Sequence, residues 1–192
     1  MINLAHKQII LGSQSPRRSQ LLSELGIKFD VIVRETDEIV DASLKPIDVV
    51  RTIAEKKAEA FLSDFQNALI ITADTIVVTS EQEILGKPKS TDEAFQVLKN
   101  LSGNKHEVIT AVCLLNNQRL TTFAETTEVE FYTLSDDEIN FYIEKCQPMD
   151  KAGSYGIQEW IGRIGIKRII GEYTNVVGLP TARLYQELKK IK

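Results

Sequence analysis

Ile9-Ile10-Leu11-Gly12-Ser13-Gln14-Ser15-Pro16-Arg17-Arg18-Ser19-Gln20-Leu21-Leu22 is the stretch that sets the fold class. Three apolar residues read as a strand, Gly12 and Ser13 as a turn, and Pro16 as the first position of a helix. Ser15 is a good N-cap, and Pro16 loses nothing at that position because its missing N–H would have no intrahelical acceptor. Arg17 and Arg18 therefore lie in the first helical turn, where the macrodipole already places partial positive charge. For helix stability that is the wrong end for cations, so the sequence is gathering positive charge for an anion. Backbone N–H groups, the hydroxyls of Ser13 and Ser15 and two guanidinium groups make a phosphate cradle.

Downstream, a helix over residues 16–25 closes at Gly26, residues 28–33 read as a second strand, and 34–45 as an acidic loop. A long helix is expected over about 46–65 and a β-rich run over 68–79. Ser90-Thr91-Asp92-Glu93 offers a capping box to a helix reaching Leu101, with Gly103 ending it. Residues 106–115 and 120–132 read as a strand pair joined across Asn116-Asn117-Gln118. Ser135-Asp136-Asp137-Glu138 is a second capping box, and Pro148 follows the helix it starts. Gly153, Gly156, Gly162, Gly165 and Gly171 punctuate an irregular segment with short strands, and a last helix begins near Pro180. Both βαβ and hairpin patterns occur, so the expected class is α/β with a mixed sheet.

The length of 192 residues suits one domain, residues 1–192, with a real core. A net charge of −4 argues against a general nucleic-acid surface. Arg163, Lys167, Arg168 and the C-terminal lysines then read as a solvated face, and any phosphate must be held by a local basic pocket. Cys113 and Cys146 have no metal or redox spacing and read as two buried free thiols. No apolar run approaches the length of a membrane span, and residues 1–7 show no leader pattern, so the expectation is a soluble cytoplasmic protein.

Three places carry chemistry. Ile53, Ala54, Ala58, Phe61, Leu62 and Phe65 mark an apolar helical stripe, and Lys57 lies on it. Such a lysine either snorkels at the edge of the stripe or is paired or lines a cavity. In the run 69–78, Asp74 interrupts β-branched and apolar residues. It caps a local bulge, or else it holds Mg²⁺ or activates water beside the phosphate cradle. Asp37-Glu38 supplies further hard oxygen ligands, and Gly86-Lys87-Pro88 puts a lysine in a constrained turn. His106 and Trp160 read as structural.

In order and over nearly the whole chain, several motifs resemble the Maf family of nucleoside triphosphate pyrophosphatases. They are Ser13-Gln14-Ser15-Pro16-Arg17-Arg18, Asp37-Glu38, Ala54-Glu55-Lys56-Lys57-Ala58, Ala73-Asp74-Thr75, Gly86-Lys87-Pro88 and Leu101-Ser102-Gly103. Asp150-Lys151-Ala152-Gly153-Ser154-Tyr155-Gly156-Ile157-Gln158 and Val177-Gly178-Leu179-Pro180 complete the set. Glu159-Trp160-Ile161-Gly162 follows with no pattern of its own.

The resemblance implies hydrolysis between the α and β phosphates, a divalent cation (Mg or Mn), a part in cleansing the nucleotide pool, and a homodimer. It implies a two-lobed, mixed twisted sheet flanked by helices around a central cleft, similar to ITP pyrophosphatases. It makes Asp74 the general base and, with Glu38, the metal site; Lys57 and Lys87 are the other catalytic residues, and Ser13 and Arg17 bind phosphate. Arg18, Thr75 and Gln158 agree with the branch acting on dTTP and UTP, with modified pyrimidine nucleotides as further substrates. Gln158 suits uracil or thymine because its amide offers both a donor and an acceptor. The partner expected is a nucleoside triphosphate, with neither nucleic acid nor membrane. The rivals are a pyrophosphatase for ITP-type purines or 7-methyl-GTP, and a nucleotide-binding regulator of cell division with weak hydrolysis.

Overall fold

A computed structural model describes Leu4 and residues 7–41 and 43–191; part of the N-terminal stretch read for a leader lies outside the described residues. The opening stretch folds as strand β1 (Ile9–Leu11) and helix α1 (Pro16–Glu24). The Ser15 hydroxyl accepts from the Arg18 N–H and Pro16 sits in the first turn, as their chemistry dictates. Between them the Gly12 N–H donates to the Ile71 carbonyl at 2.9 Å. A Cβ at Gly12 would lie 2.8 Å from Thr72 Cγ2 and 3.1 Å from the Phe61 ring, so the backbone approaches its neighbours as only glycine allows.

The second strand, β2 (Asp30–Val31), is shorter than the 28–33 expected. It is an exposed two-residue piece at one edge of the sheet, and a short edge strand leaves few unpaired backbone groups to recruit another chain. Helix α2 (Pro46–Glu59) stops before residue 65. Beyond Glu59 the chain tightens into three-residue turns, with Phe61 N–H on the Ala58 carbonyl and Leu62 N–H on the Glu59 carbonyl, both at 3.0 Å. The apolar stripe outlasts the helix because Phe61 stays buried, while the Arg34 guanidinium covers the Phe61 and Phe65 rings at 5.3 and 6.0 Å.

Strand β3 (Leu69–Thr79) runs parallel to β1, which is itself parallel to β2. Strand β4 (Ile84–Leu85) pairs antiparallel with β3. Helix α3 (Thr91–Leu101) is capped by Ser90, but its Glu93 carboxylate accepts from the Lys89 N–H at 2.8 Å rather than closing a full box. Strands β5 (Lys105–Asn116) and β6 (Arg119–Phe131) form a hairpin through Asn117 and Gln118. Both turn residues have positive φ, 49° and 62°, which matches the twist that a two-residue hairpin turn requires. Helix α4 (Asp136–Cys146) has both halves of its capping box, from Ser135 and Glu138.

The glycine-punctuated segment is more helical than expected. Two single 3₁₀ turns, Pro148–Asp150 and Ala152–Ser154, precede helix α5 (Trp160–Ile164); strand β7 (Ile166–Ile170), helix α6 (Tyr173–Val177) and helix α7 (Thr181–Leu188) follow. The seven-stranded sheet has the order β2-β1-β3-β5-β6-β7, with β4 on β3, and mixes parallel and antiparallel pairs. Cys113 is buried, and burial pushes its thiol up to about 11; Cys146 is only partly buried, because it ends α4. Both are free thiols.

The chain divides into two compact units, the first made of residues 1–74, 110–125 and 178–192, the second of 75–109 and 126–177. Among the described residues no helix is long and apolar enough to cross a membrane.

Candidate active site

In the first unit, α2 and β3 bring three of the expected residues together. Lys57 Nζ lies 2.7 Å from Asp74 Oδ1 and 2.8 Å from Glu38 Oε1. The side chains of Lys57 and Asp74 are 18% and 16% exposed, whereas Glu38 is 59% exposed. The pairing follows from two periodicities. Thr72 and Asp74 are two apart on the strand and both reach α2, Thr72 Oγ1 donating to the Ala54 carbonyl at 2.7 Å and Asp74 accepting from Lys57. Ala54 and Lys57 are three apart on the helix and so share a face. The lysine on the apolar stripe is thus paired, not snorkelling.

The acidic loop that carries Glu38 is pinned as well. Lys56 Nζ donates to the Ile39 carbonyl at 2.6 Å, and Asp37 Oδ1 accepts from the Ile39 N–H at 2.8 Å. Arg34, already lying on Phe61 and Phe65, forms an ion pair with Asp64. Nothing local in the sequence announces Arg34 or Lys56, since both act through groups distant in the chain.

The start of α1 faces the same unit. Ser13 Oγ is buried and accepts from the Ser15 N–H and from Arg18 Nη1, each at 3.2 Å. Arg18 Nη1 also donates to the Ala73 carbonyl, and Nε to the Gly178 carbonyl, both at 2.9 Å. Arg18 therefore braces α1 to the end of the β3 half-strand that carries Asp74 and to the chain just before α7. Burial pushes the Arg18 guanidinium down from its ordinary value; Asp74 pulls it back up, Arg17 depresses it and Glu38 raises it. It stays a cation, as arginine does in proteins. Arg18, expected as a selector of the nucleotide, makes bonds that also brace the start of α1. Arg17 is half-buried beside it.

Thr75, Lys87 and Gln158 belong to the second unit. Thr75 follows Asp74 on β3, and strand alternation turns its side chain to the opposite face. Lys87 is exposed in its turn, where the Gly86 carbonyl accepts from the Gly153 N–H at 3.2 Å. Gly153 has φ 68°, and a Cβ there would lie 2.8 Å from Val77 Cγ2. Gln158 is exposed in a turn closed by the Glu159 N–H on the Gly156 carbonyl at 2.9 Å. His106 is structural, as read: it is buried against Phe131 and Tyr155, with Nε2 2.8 Å from the Tyr155 hydroxyl. Trp160 packs edge-on against Phe141.

Chemically, the first unit offers an ammonium set between two carboxylates, beside a helix start carrying two arginines and a buried serine hydroxyl. Asp74 and Glu38 are the oxygen donors that could hold a hard divalent cation. Among the described residues no group of three or more His, Cys, Asp or Glu is gathered for a metal. Two carboxylates nevertheless suit Mg²⁺, which is commonly bound by one or two of them plus phosphate oxygens.

Comparison with known proteins places the fold first. The chain is similar in structure to the Ham1 protein of Staphylococcus aureus, with a TM-score of 0.51 over 94% of this chain and 100% of that one, at 16% identity. A HAM1 protein from Coxiella burnetii gives a TM-score of 0.51 over 96% of this chain and 100% of that chain, at 13% identity. This mixed α/β architecture with the Asp74–Lys57–Glu38 constellation is narrowed by sequence. The Maf-like protein family pattern matches residues 8–191, and the chain belongs to that family. It is 50% identical over 191 residues to a dTTP/UTP pyrophosphatase of Phocaeicola vulgatus, covering 98% of each chain. It is 47% identical over 193 residues to one from Bacteroides thetaiotaomicron, again covering 98% of each, and 46% identical to one from Bacillus cereus, covering 96% of this chain and 95% of that one.

Proposed function

We propose that this protein is a nucleoside triphosphate pyrophosphatase that hydrolyses dTTP and UTP to the monophosphate and pyrophosphate, a cytoplasmic homodimer that cleanses the nucleotide pool. The observation that carries the reading is Lys57 held at 2.7 Å from Asp74 and 2.8 Å from Glu38 beside the arginine-rich start of α1. The names carried by relatives at 46–50% identity over nearly the full chain support the substrate class.

In this reading the Asp74 carboxylate accepts a proton from the attacking water as the new P–O bond forms. The P–O bond of the α–β anhydride breaks, and pyrophosphate leaves with its electron pair. Lys57, Arg17 and Lys87 neutralise charge on the triphosphate and the leaving group, and Ser13 with nearby backbone N–H groups fixes a phosphate. Mg or Mn held by Asp74 and Glu38 would supply Lewis-acid neutralisation of phosphate charge. Gln158 is assigned to the pyrimidine edge. Arg18 and Thr75 join Gln158 in setting which nucleotide is accepted, and Arg18 also holds Ser13 and the Ala73 carbonyl in place.

The test is pyrophosphate release from a nucleotide panel, with Mg²⁺ or Mn²⁺ and after chelation. Preference for dTTP and UTP, lost with EDTA, is the expected result. Preference for ITP or 7-methyl-GTP moves the protein to another branch, and an inactive panel with nucleotide binding intact overturns the hydrolase reading.

A further inference from the structure

We propose that Tyr142, with Glu159 and Lys151, clamps the turn that carries Gln158, and that this clamp sets how sharply the protein separates uracil and thymine from cytosine. The inference rests on the assignment of Gln158 to the base. Tyr142 comes from α4 and is wholly buried. Its hydroxyl accepts from the Gly156 N–H at 2.9 Å and donates to Glu159 Oε2. Those two partners are the two ends of the four-residue turn 156–159, in which Ile157 is buried and Gln158 is exposed. Glu159 Oε1 lies 3.1 Å from Lys151 Nζ, whose side chain is 8% exposed and also holds Asp150 at 2.6 Å, so the half-buried Glu159 carboxylate has a cation beside it.

The turn has no slack on its other sides. A Cβ at Gly156 would lie 2.7 Å from Glu159 Cδ, and a Cβ at Gly162 would lie 1.9 Å from the Ile157 carbonyl oxygen, so α5 sits directly on the turn. Burial and the Glu159 carboxylate push the Tyr142 phenol up from its ordinary value, which keeps it a donor.

A purely structural α4 would be served by phenylalanine, which fills the same space. The hydroxyl adds a tie between the turn's ends, and breaking it leaves the buried Gly156 N–H short of its acceptor and the half-buried Glu159 carboxylate short of a donor. The tie matters to the base because a glutamine amide can rotate by a half-turn. Rotated, it offers cytosine the reverse pattern of donor and acceptor that it offers uracil. Selection then depends on how firmly the backbone holds the amide against one edge.

The experiment measures kcat/KM for UTP, CTP and base-free ribose 5′-triphosphate in the wild type, Tyr142→Phe, Glu159→Gln and Gln158→Ala, with melting curves to confirm folding. The UTP-to-CTP ratio is expected to fall about tenfold in Tyr142→Phe, the scale of one misplaced hydrogen bond, and by less in Glu159→Gln. Base-free hydrolysis in these two variants is expected to stay within about twofold, a split that general loosening would not produce. A folded Tyr142→Phe protein that keeps the ratio while Gln158→Ala loses it overturns the clamp and leaves Gln158 standing. If Gln158→Ala also keeps the ratio, the base assignment falls and the clamp with it. Equal losses on UTP, CTP and the base-free substrate in Tyr142→Phe reduce Tyr142 to a packing residue and overturn the proposal. Should Tyr142→Phe fail to fold, an unchanged ratio in Glu159→Gln overturns it.

Discussion

Replacing Asp74 by Asn separates the carboxylate's chemistry from its architecture. Asparagine is the same size and keeps an oxygen that can accept from Lys57 Nζ, now 2.7 Å away. Lys57 also keeps Glu38 at 2.8 Å, so its charge is not stranded. The structural loss is the difference between an ion pair and a hydrogen bond from the same ammonium to a neutral amide oxygen, about 1 kcal/mol. For a chain of this size that lowers Tm by about 2–4 °C. The chemical loss is larger, because a positioned general base contributes about 10²–10⁴ in rate. That is about 3–5 kcal/mol of barrier. The assay is the initial rate of pyrophosphate release from UTP at saturating substrate, beside a circular-dichroism melt of the same preparation. A folded Asp74→Asn protein retaining a third or more of wild-type turnover would remove Asp74 from the proton-accepting role. A collapse of Tm by tens of degrees would show that the carboxylate serves the fold instead.

Other expectations follow from particular contacts. Gly12→Ala drives a methyl to 2.8 Å from Thr72 Cγ2 and 3.1 Å from Phe61, and a thermal melt should show a loss of about 1–3 kcal/mol. Ser135→Ala removes the hydroxyl that accepts from the Glu138 N–H at the start of α4; about 1 kcal/mol should be lost, read as the shift in denaturant midpoint. Burial pushes the His106 imidazole down to about 4. Because the unfolded chain takes up this proton near 6.5, the contribution is full above that pH and drains away as pH falls from 6.5 towards 4, by up to about 3 kcal/mol. Urea titrations at several pH values should show that slope in the wild type and lose it in His106→Phe. A slope unchanged by the substitution refutes the assignment.

What could be read from the sequence was local. Ser15 before Pro16 and glutamate three residues after Ser135 each act within one helical turn, and each is found where its chemistry implies. Asp74 stood out because a carboxylate inside a β-branched run needs a partner. That the partner is Lys57 depends on the packing of α2 on β3, which no local window contains. The apolar stripe overran the end of α2 because tight turns keep Phe61 on the buried side. Arg18 read as part of the anion site and as a selector; its bonds to carbonyls 55 and 160 residues away were not legible, because no local window contains them. Tyr142 could not be read at all: on α4 it falls beside Ile139 and Ile143 as one more buried residue, and only its hydroxyl's partners set it apart.

The bond from Arg18 Nε to the Gly178 carbonyl has a consequence for synthesis. The first unit draws on residues 1–74, 110–125 and 178–192, so its earliest strands leave the ribosome long before the segment that completes them. At about 5–20 residues per second, β1 and α1 wait on the order of ten seconds for α7. β1 gains its neighbours β2 and β3 early, but until β5 emerges the far edge of β3 is unpaired, which gives chaperones a reason to attend this nascent chain. A premature stop before Gly178 removes the acceptor of Arg18 Nε and helix α7 together. A chain cut short before Gly178 still holds Ser13 and the Ala73 carbonyl for Arg18 to bond, but α1 then lacks its tie to the segment that leads into α7.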